Sequence, residues 1–146
     1  NYIFVKPDQK YNIKDLSIAT YNSTDRGVSF LVDTGNMKIF HSGDLNWWHW
    51  KNNSSSQQKR EEENFKKEID KIKENKIDLA FVPVDPRLDE YYYLAGEYFA
   101  QTVTPEVLVP IHFGNKFEIT EKFADKMSES KVEIKVISKR GEKIEI

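Results

Sequence analysis

Two stretches constrain the fold of this chain more than any others. "IDLAFVPV", from Ile77 to Val84, and "EVLVPI", from Glu106 to Ile111, are almost unbroken apolar runs bounded by turn-forming residues. A strand with water on one side alternates apolar and polar side chains. A run that is apolar at nearly every position reads instead as a strand covered on both faces. Between the two runs, about Leu88 to Thr102 reads as a helix rich in Tyr. Before them, Phe65, Ile69 and Ile72 recur at helical spacing with charges on the other face, which predicts a helix over Glu62 to Asn75. After them, Thr120 is placed to cap a third helix running to about Ser128.

The first third of the chain carries strand patterns. Tyr2 to Val5 is a short β-prone run, and "DLSIAT" (Asp15 to Thr20) alternates as a strand does. "NSTDRG" follows as a turn whose polar side chains bond their own backbone. "VSFLVD" and "MKIFH" flank "TGN", which predicts a hairpin over Val28 to His41. Asn52 to Gln58 is rich in Asn, Ser and Gln and reads as a mobile tract, with Ser54 to Ser56 available to cap a helix. "VEIKVI" and "KIEI" predict a closing hairpin across "SKRG". Strands first, then helices alternating with strands, give a mixed sheet flanked by helices, α/β or α+β. A length of 146 residues fits one domain, 1–146.

Charge excludes some partners. With 22 Lys and Arg against 24 Asp and Glu, the net charge of -2 gives no reason to expect nucleic acid or an anionic membrane. The absence of cysteine removes disulfides and thiolate ligands and points to a cytoplasmic home. No apolar run is long enough to span a bilayer. A chain that opens at Asn1, without methionine, and goes quickly into "YIFV" is expected to be a fragment or a processed product.

Two loops after strand ends could carry chemistry. In "HSGD" (His41 to Asp44), Gly43 lets the backbone bend and presents Asp44. In "PIHFG" (Pro110 to Gly114), His112 ends a buried strand. Asp44 and His112 can share a divalent ion such as Zn²⁺, though a catalytic zinc needs about three protein ligands. The plainer readings are an Asx turn for Asp44 and a core histidine for His112. His41 and His49 are weaker ligand candidates. In "DPRL", Arg87 could bind an anionic substrate group beside Asp85; the plainer reading is an Asp85–Arg87 salt bridge in the loop. In "NWWHW", Trp47 and its neighbours could stack a ligand ring, or pack under a helix and form the wall beside the loop.

Taken together, "GVSFLVDTGNMKIFHSGDLNWWHW", "IDLAFVPVDPRL" and "LVPIHFG" resemble the second half of a metallo-β-lactamase-fold hydrolase, over nearly the whole chain. The resemblance implies one half of an αββα sandwich, with a metal site at the edge between two sheets. It places Asp44 at the bridging aspartate and His112 at the last histidine ligand, both serving the second of two metals. It implies one or two Zn²⁺ ions in the full-length protein, with a metal-activated water attacking an ester, amide or phosphodiester of a small-molecule substrate. Arg87, Trp47 and Asp85 are the residues expected to meet that substrate.

The sequence departs from that pattern in two places. The first-half signature H-x-H-x-D-H is absent. At the usual T-x-G-H-[TS], counted from Thr20, Ser23, a poor zinc ligand, falls where the histidine would be, so the full-length protein is expected either to work with one metal or to use Asp25 or another residue instead. Half a sandwich would expose a large apolar sheet face, so the chain is expected to form a homo-oligomer or to pair with a missing N-terminal half. It is also expected to be inactive alone. The rival reading is a non-catalytic binding or regulatory module of the same fold.

Overall fold

The structure is a computed structural model that describes residues 2–146. Seven strands form one sheet in sequence order: β1 (Lys10–Ile13), β2 (Leu16–Asn22), β3 (Val28–Asp33), β4 (Lys38–His41), β5 (Leu79–Pro83), β6 (Val107–Ile111) and β7 (Glu133–Ile134). Strands β1 to β4 pair antiparallel, and β4 to β7 pair parallel. Antiparallel strands can be joined by short turns; parallel ones need crossovers. The crossovers are α1 (Ser55–Asp70), a 3₁₀ segment (Pro86–Tyr91) leading into α2 (Leu94–Thr102), and α3 (Glu118–Lys126).

The expected β3–β4 hairpin and both buried strands are present, and several boundaries differ. The first strand is Lys10–Ile13; Tyr2 and Phe4 lie almost fully exposed outside the sheet. The tract expected to be mobile instead begins α1. Ser54 accepts from the Gln57 N–H while Gln57 reaches back to the Ser54 N–H, a reciprocal capping box. The Tyr-rich helix breaks at Asp89, whose φ of 50° is incompatible with a continuous helix. Thr120 lies inside α3: its hydroxyl donates to the Phe117 carbonyl and accepts from the Ile137 N–H. That second bond ties down the C-terminal tail through a side chain. The expected closing hairpin does not form, and only Glu133–Ile134 joins the sheet, parallel to β6.

One sheet face is buried under all three helices. Phe40, Ala80, Val82 and Leu108 meet Phe65 and Ile69 of α1, Phe99 of α2 and Phe123 of α3. The rings of Phe40 and Phe99 stack at 5.1 Å. The opposite face is also apolar. Register places Ile18, Val32, Ile39, Leu79 and Val107 in one row across five strands. Its β5–β6 end is covered by Ile137 and Ile144 of the tail, and at the β2 end Thr20 is buried against the backbone of Lys6 and Gln9. Phe30, Val32 and Ile39 stay half-buried.

Candidate active site

The parallel strands β4, β5 and β6 are neighbours, and each is followed by one polar residue of interest: Asp44, Asp85 and His112. Adjacent parallel strands end on the same edge, and in open α/β sheets that carboxyl edge is where ligands bind. The sequence places Asp44 there by a sharp bend. Gly43 has a φ of +56°, and a Cβ on it would lie 3.0 Å from the Val28 carbonyl oxygen, so only glycine makes this turn without strain. His112 itself has a φ of +70°, a conformation costly for a side-chain-bearing residue and concentrated at functional sites.

The His112 ring sits between two carboxylates. Its Nε2 lies 3.0 Å from Asp44 Oδ1, and its Nδ1 lies 3.4 Å from Asp85 Oδ2. A ring that donates to a carboxylate from each nitrogen is an imidazolium, so the two acceptors favour the protonated form. The hydrogen bond to Asp85 accordingly raises the His112 pKa above its usual value, burial opposes this, and the charges of Asp85 and Asp44 add to the rise. Asp85 is fully buried. Burial would raise its pKa, but hydrogen bonds from His112 and from the Arg87 side chain and backbone overrule it and hold the carboxyl well below the usual range.

Arg87 is committed to that carboxylate. Its Nε lies 2.9 Å from Asp85 Oδ1, its Nη2 bonds Oδ2, and its backbone N–H bonds Oδ1 at 3.0 Å. The plainer reading of "DPRL", a loop salt bridge, is therefore what forms. His41 ends β4 on the open face, stacks on Phe81, and accepts the Gly43 N–H at Nδ1. Burial lowers its pKa, and the charge of nearby His112 lowers it further. His49 packs on Tyr91.

The tryptophans divide by parity. His49 and Trp50 donate backbone bonds to the carbonyls of Trp47 and Trp48, tight i to i+2 turns that keep the segment extended. Trp47 thus points into the core against Phe65 and Tyr98. Trp47, expected at the substrate, packs under α1 and does not line the groove that its neighbours form. Trp48 and Trp50 take the other side, with parallel rings 5.8 Å apart. They line a groove of about 290 Å³ with Thr24, Asp25, Glu61 and Arg87. The alternation in "WWHW" carried this signal, because residues i and i+2 of an extended segment share a side. Thr24 and Glu61 carried none.

Among the described residues, no cluster of three or more His, Asp or Glu could hold a metal. Asp44 and His112 fit a metal as two donors. Two atoms each about 2.0 to 2.1 Å from a tetrahedral zinc stand roughly 3.3 Å apart, close to their present separation. Asp85 stands behind the ring, where a carboxylate orients the imidazole of a metal-bound histidine in other sites. Buried polar atoms without partners also gather here: Ser42 Oγ, Asn46 Nδ2, Trp47 Nε1, Trp48 Nε1 and His49 Nδ1 all lie in the segment around Asp44.

A mixed sheet with helices on one face, an apolar opposite face and an Asp–His pair on the carboxyl edge defines the class: this is the metallo-β-lactamase fold. Solved structures similar to the chain share it. A candidate metal-dependent hydrolase from Parabacteroides distasonis aligns with a TM-score of 0.62 at 17% identity, over 90% of this chain and 55% of that one. A candidate zinc-dependent hydrolase of the metallo-β-lactamase superfamily from Thermotoga maritima aligns at 0.53 and 15%, over 86% and 59%. The metallo-β-lactamase fold protein YhfI from Bacillus subtilis aligns at 0.56 and 11%, over 92% and 52%. The chain thus spans little more than half the length of these proteins. No family model and no curated protein sequence matches it. No helix among the described residues is long and apolar enough to cross a membrane.

Proposed function

We propose that this chain is the C-terminal half of a cytoplasmic metal-dependent hydrolase, and that Asp44 and His112 are ligands of its zinc. The observation that carries the reading is the 3.0 Å approach of His112 Nε2 to Asp44 Oδ1, on the carboxyl edge of three parallel strands and backed by Asp85. Residues 68 positions apart are brought together there with a strained backbone at one of them.

In this reading each residue has a distinct task. Asp85 accepts from Nδ1 and fixes the ring so that Nε2 faces the metal. Asp44 supplies a carboxylate oxygen from the neighbouring strand end. Arg87 keeps Asp85 ionised and in place. A bound zinc would polarise a substrate oxygen and lower the pKa of water, the chemistry that cleavage of an ester, amide or phosphodiester in a small-molecule substrate requires. A zinc held at Nε2 would need that nitrogen unprotonated, so its affinity would rise with pH.

The remaining ligands would come from an N-terminal half laid on the open sheet face, whose inward row from Ile18 to Val107 is apolar. The test is made in the longer protein. Asp44→Ala and His112→Ala should each reduce bound zinc and abolish turnover of a generic ester or phosphodiester. Unchanged turnover in both variants would sink the proposal.

One observation favours the rival, a non-catalytic module of the same fold. Ser23 stands where the resemblance puts a histidine, and its hydroxyl is occupied by the Asp25 N–H. Ligand binding with no turnover in wild type or in either variant would support the module.

A further inference from the structure

The groove beside Asp44 and His112 is not explained by metal binding, and its walls have an uncommon composition. Trp48 and Trp50 lie parallel along it, Trp50 36% exposed and Trp48, behind it, 7%. Asp25 and Glu61 bring two carboxylates; Arg87 brings one positive charge. That charge is spoken for, because the guanidinium is forked onto the buried Asp85 carboxylate. Glu61 is held at 4.0 Å by Arg60, so Asp25 is the lining carboxylate with no ion pair among the described residues, in a groove walled by aromatic rings. Arg87 also shows what the lining accepts: its guanidinium carbon sits 5.5 Å from the Trp48 ring, in cation–π geometry.

We propose that this groove binds an organic cation, an ammonium or quaternary ammonium group, against Trp50 and between Asp25 and Glu61. The indoles attract a cation through their negative faces, and the carboxylates add Coulomb attraction. An anionic group meets two carboxylates and an arginine already neutralised. The groove adjoins the Asp–His pair. The Trp48 ring is 6.0 Å from that of His112, and the Thr24 hydroxyl donates to the Asn46 carbonyl at 2.7 Å, within the loop that carries Asp44. On the hydrolase reading above, the cation is the remote group of the substrate, held while its cleavable bond lies at the metal. Only that last step rests on the hydrolase reading, because binding of the cation needs neither metal nor turnover.

The experiment uses this chain without metal, and its three indole N–H resonances, assigned by single Trp→Phe variants. Tetramethylammonium and choline should shift the Trp50 signal saturably, with a dissociation constant on the order of millimolar, shift that of the more buried Trp48 less, and leave Trp47 unmoved. The neutral isostere 3,3-dimethylbutan-1-ol should bind about fivefold more weakly or worse, and so should both cations with the Asp25→Asn, Glu61→Gln double variant. Asp25→Asn alone, on an exposed turn, is the second variant and should show a smaller loss in the same direction. Trp50→Leu should abolish binding. Equal affinity for the neutral isostere, tighter binding of inorganic phosphate, or undiminished cation binding by the carboxylate variants would overturn the proposal.

Discussion

His112 Nε2 lies 3.0 Å from Asp44 Oδ1, and the sheet brings the two residues within reach of each other. One follows β6 and the other follows β4, with β5 between them. Two donors are one fewer than a catalytic zinc takes from its protein. The chain alone is therefore expected to bind at most one zinc ion, weakly. Calorimetric titration with zinc should show a stoichiometry of one or less, and Asp44→Ala or His112→Ala should remove the signal. Two zinc ions surviving dialysis would contradict the assignment of these residues as an incomplete site.

The two histidines near this edge should titrate in opposite directions from the ordinary value near 6.5. In the metal-free chain His112 should hold its proton above that pH, and His41 should lose it below. The linkage has a definite sign. A raised folded-state pKa means that the stability from His112 is fully present below about pH 6.5 and is lost as pH rises through its folded value. His41, with a depressed value, contributes stability present above about pH 6.5 and lost as pH falls through its folded value. Imidazole proton shifts followed by NMR across pH 5 to 9 would order the two. Asp85→Asn should move His112 downward and leave His41 nearly unmoved. A His112 that titrates below His41 would refute the carboxylate sandwich.

The sheet and the Asp–His pair were legible in the sequence for different reasons. Ile77–Val84 and Glu106–Ile111 announce buried strands through composition, and the "TGN" turn announces the hairpin. Asp44 and His112 stand out because each directly follows such a strand or its bend. What stayed hidden depends on distant partners. The Ile137 N–H is taken by Thr120 in α3, so a tail with strand-like alternation does not form a hairpin. Tyr2–Val5 has strand propensity with no partner edge, while the less apolar Lys10–Ile13 pairs with β2. The groove joins Asp25, Trp48, Glu61 and Arg87 from four segments, and no local pattern predicts that meeting.

Gly43 can be tested as the hinge of the site. Alanine there would adopt an unfavourable positive φ and press its methyl against the Val28 carbonyl oxygen at 3.0 Å. Gly43→Ala should destabilise the chain by about 1–3 kcal/mol, read as a lower denaturant midpoint. It should also displace Asp44 and weaken zinc binding. Gly27→Ala is the control, because glycine there also has a positive φ, 72°, but a methyl would meet nothing. The control should cost less and leave zinc binding intact.

The open sheet face gives the last prediction. Its rows run Ile18, Val32, Ile39, Leu79, Val107 and Thr20, Phe30, His41, Phe81, Val109. The helices cover the other face, and the tail covers only the β5–β6 end of this one. A largely apolar face of this kind, broken only by Thr20 and His41 in these rows, drives association when water is its neighbour. The isolated chain should therefore self-associate at micromolar concentration, as seen by light scattering. Phe30→Lys or Ile39→Lys puts a charge in the middle of the contact and should raise the dissociation constant about tenfold or more. Neither side chain belongs to the helix-covered core, so circular dichroism should show little loss of folded stability. If the N-terminal half occupies this face in the longer protein, the same substitutions should weaken docking of that half when it is supplied as a separate chain. A wild-type chain that stays monomeric at high micromolar concentration would remove both expectations together.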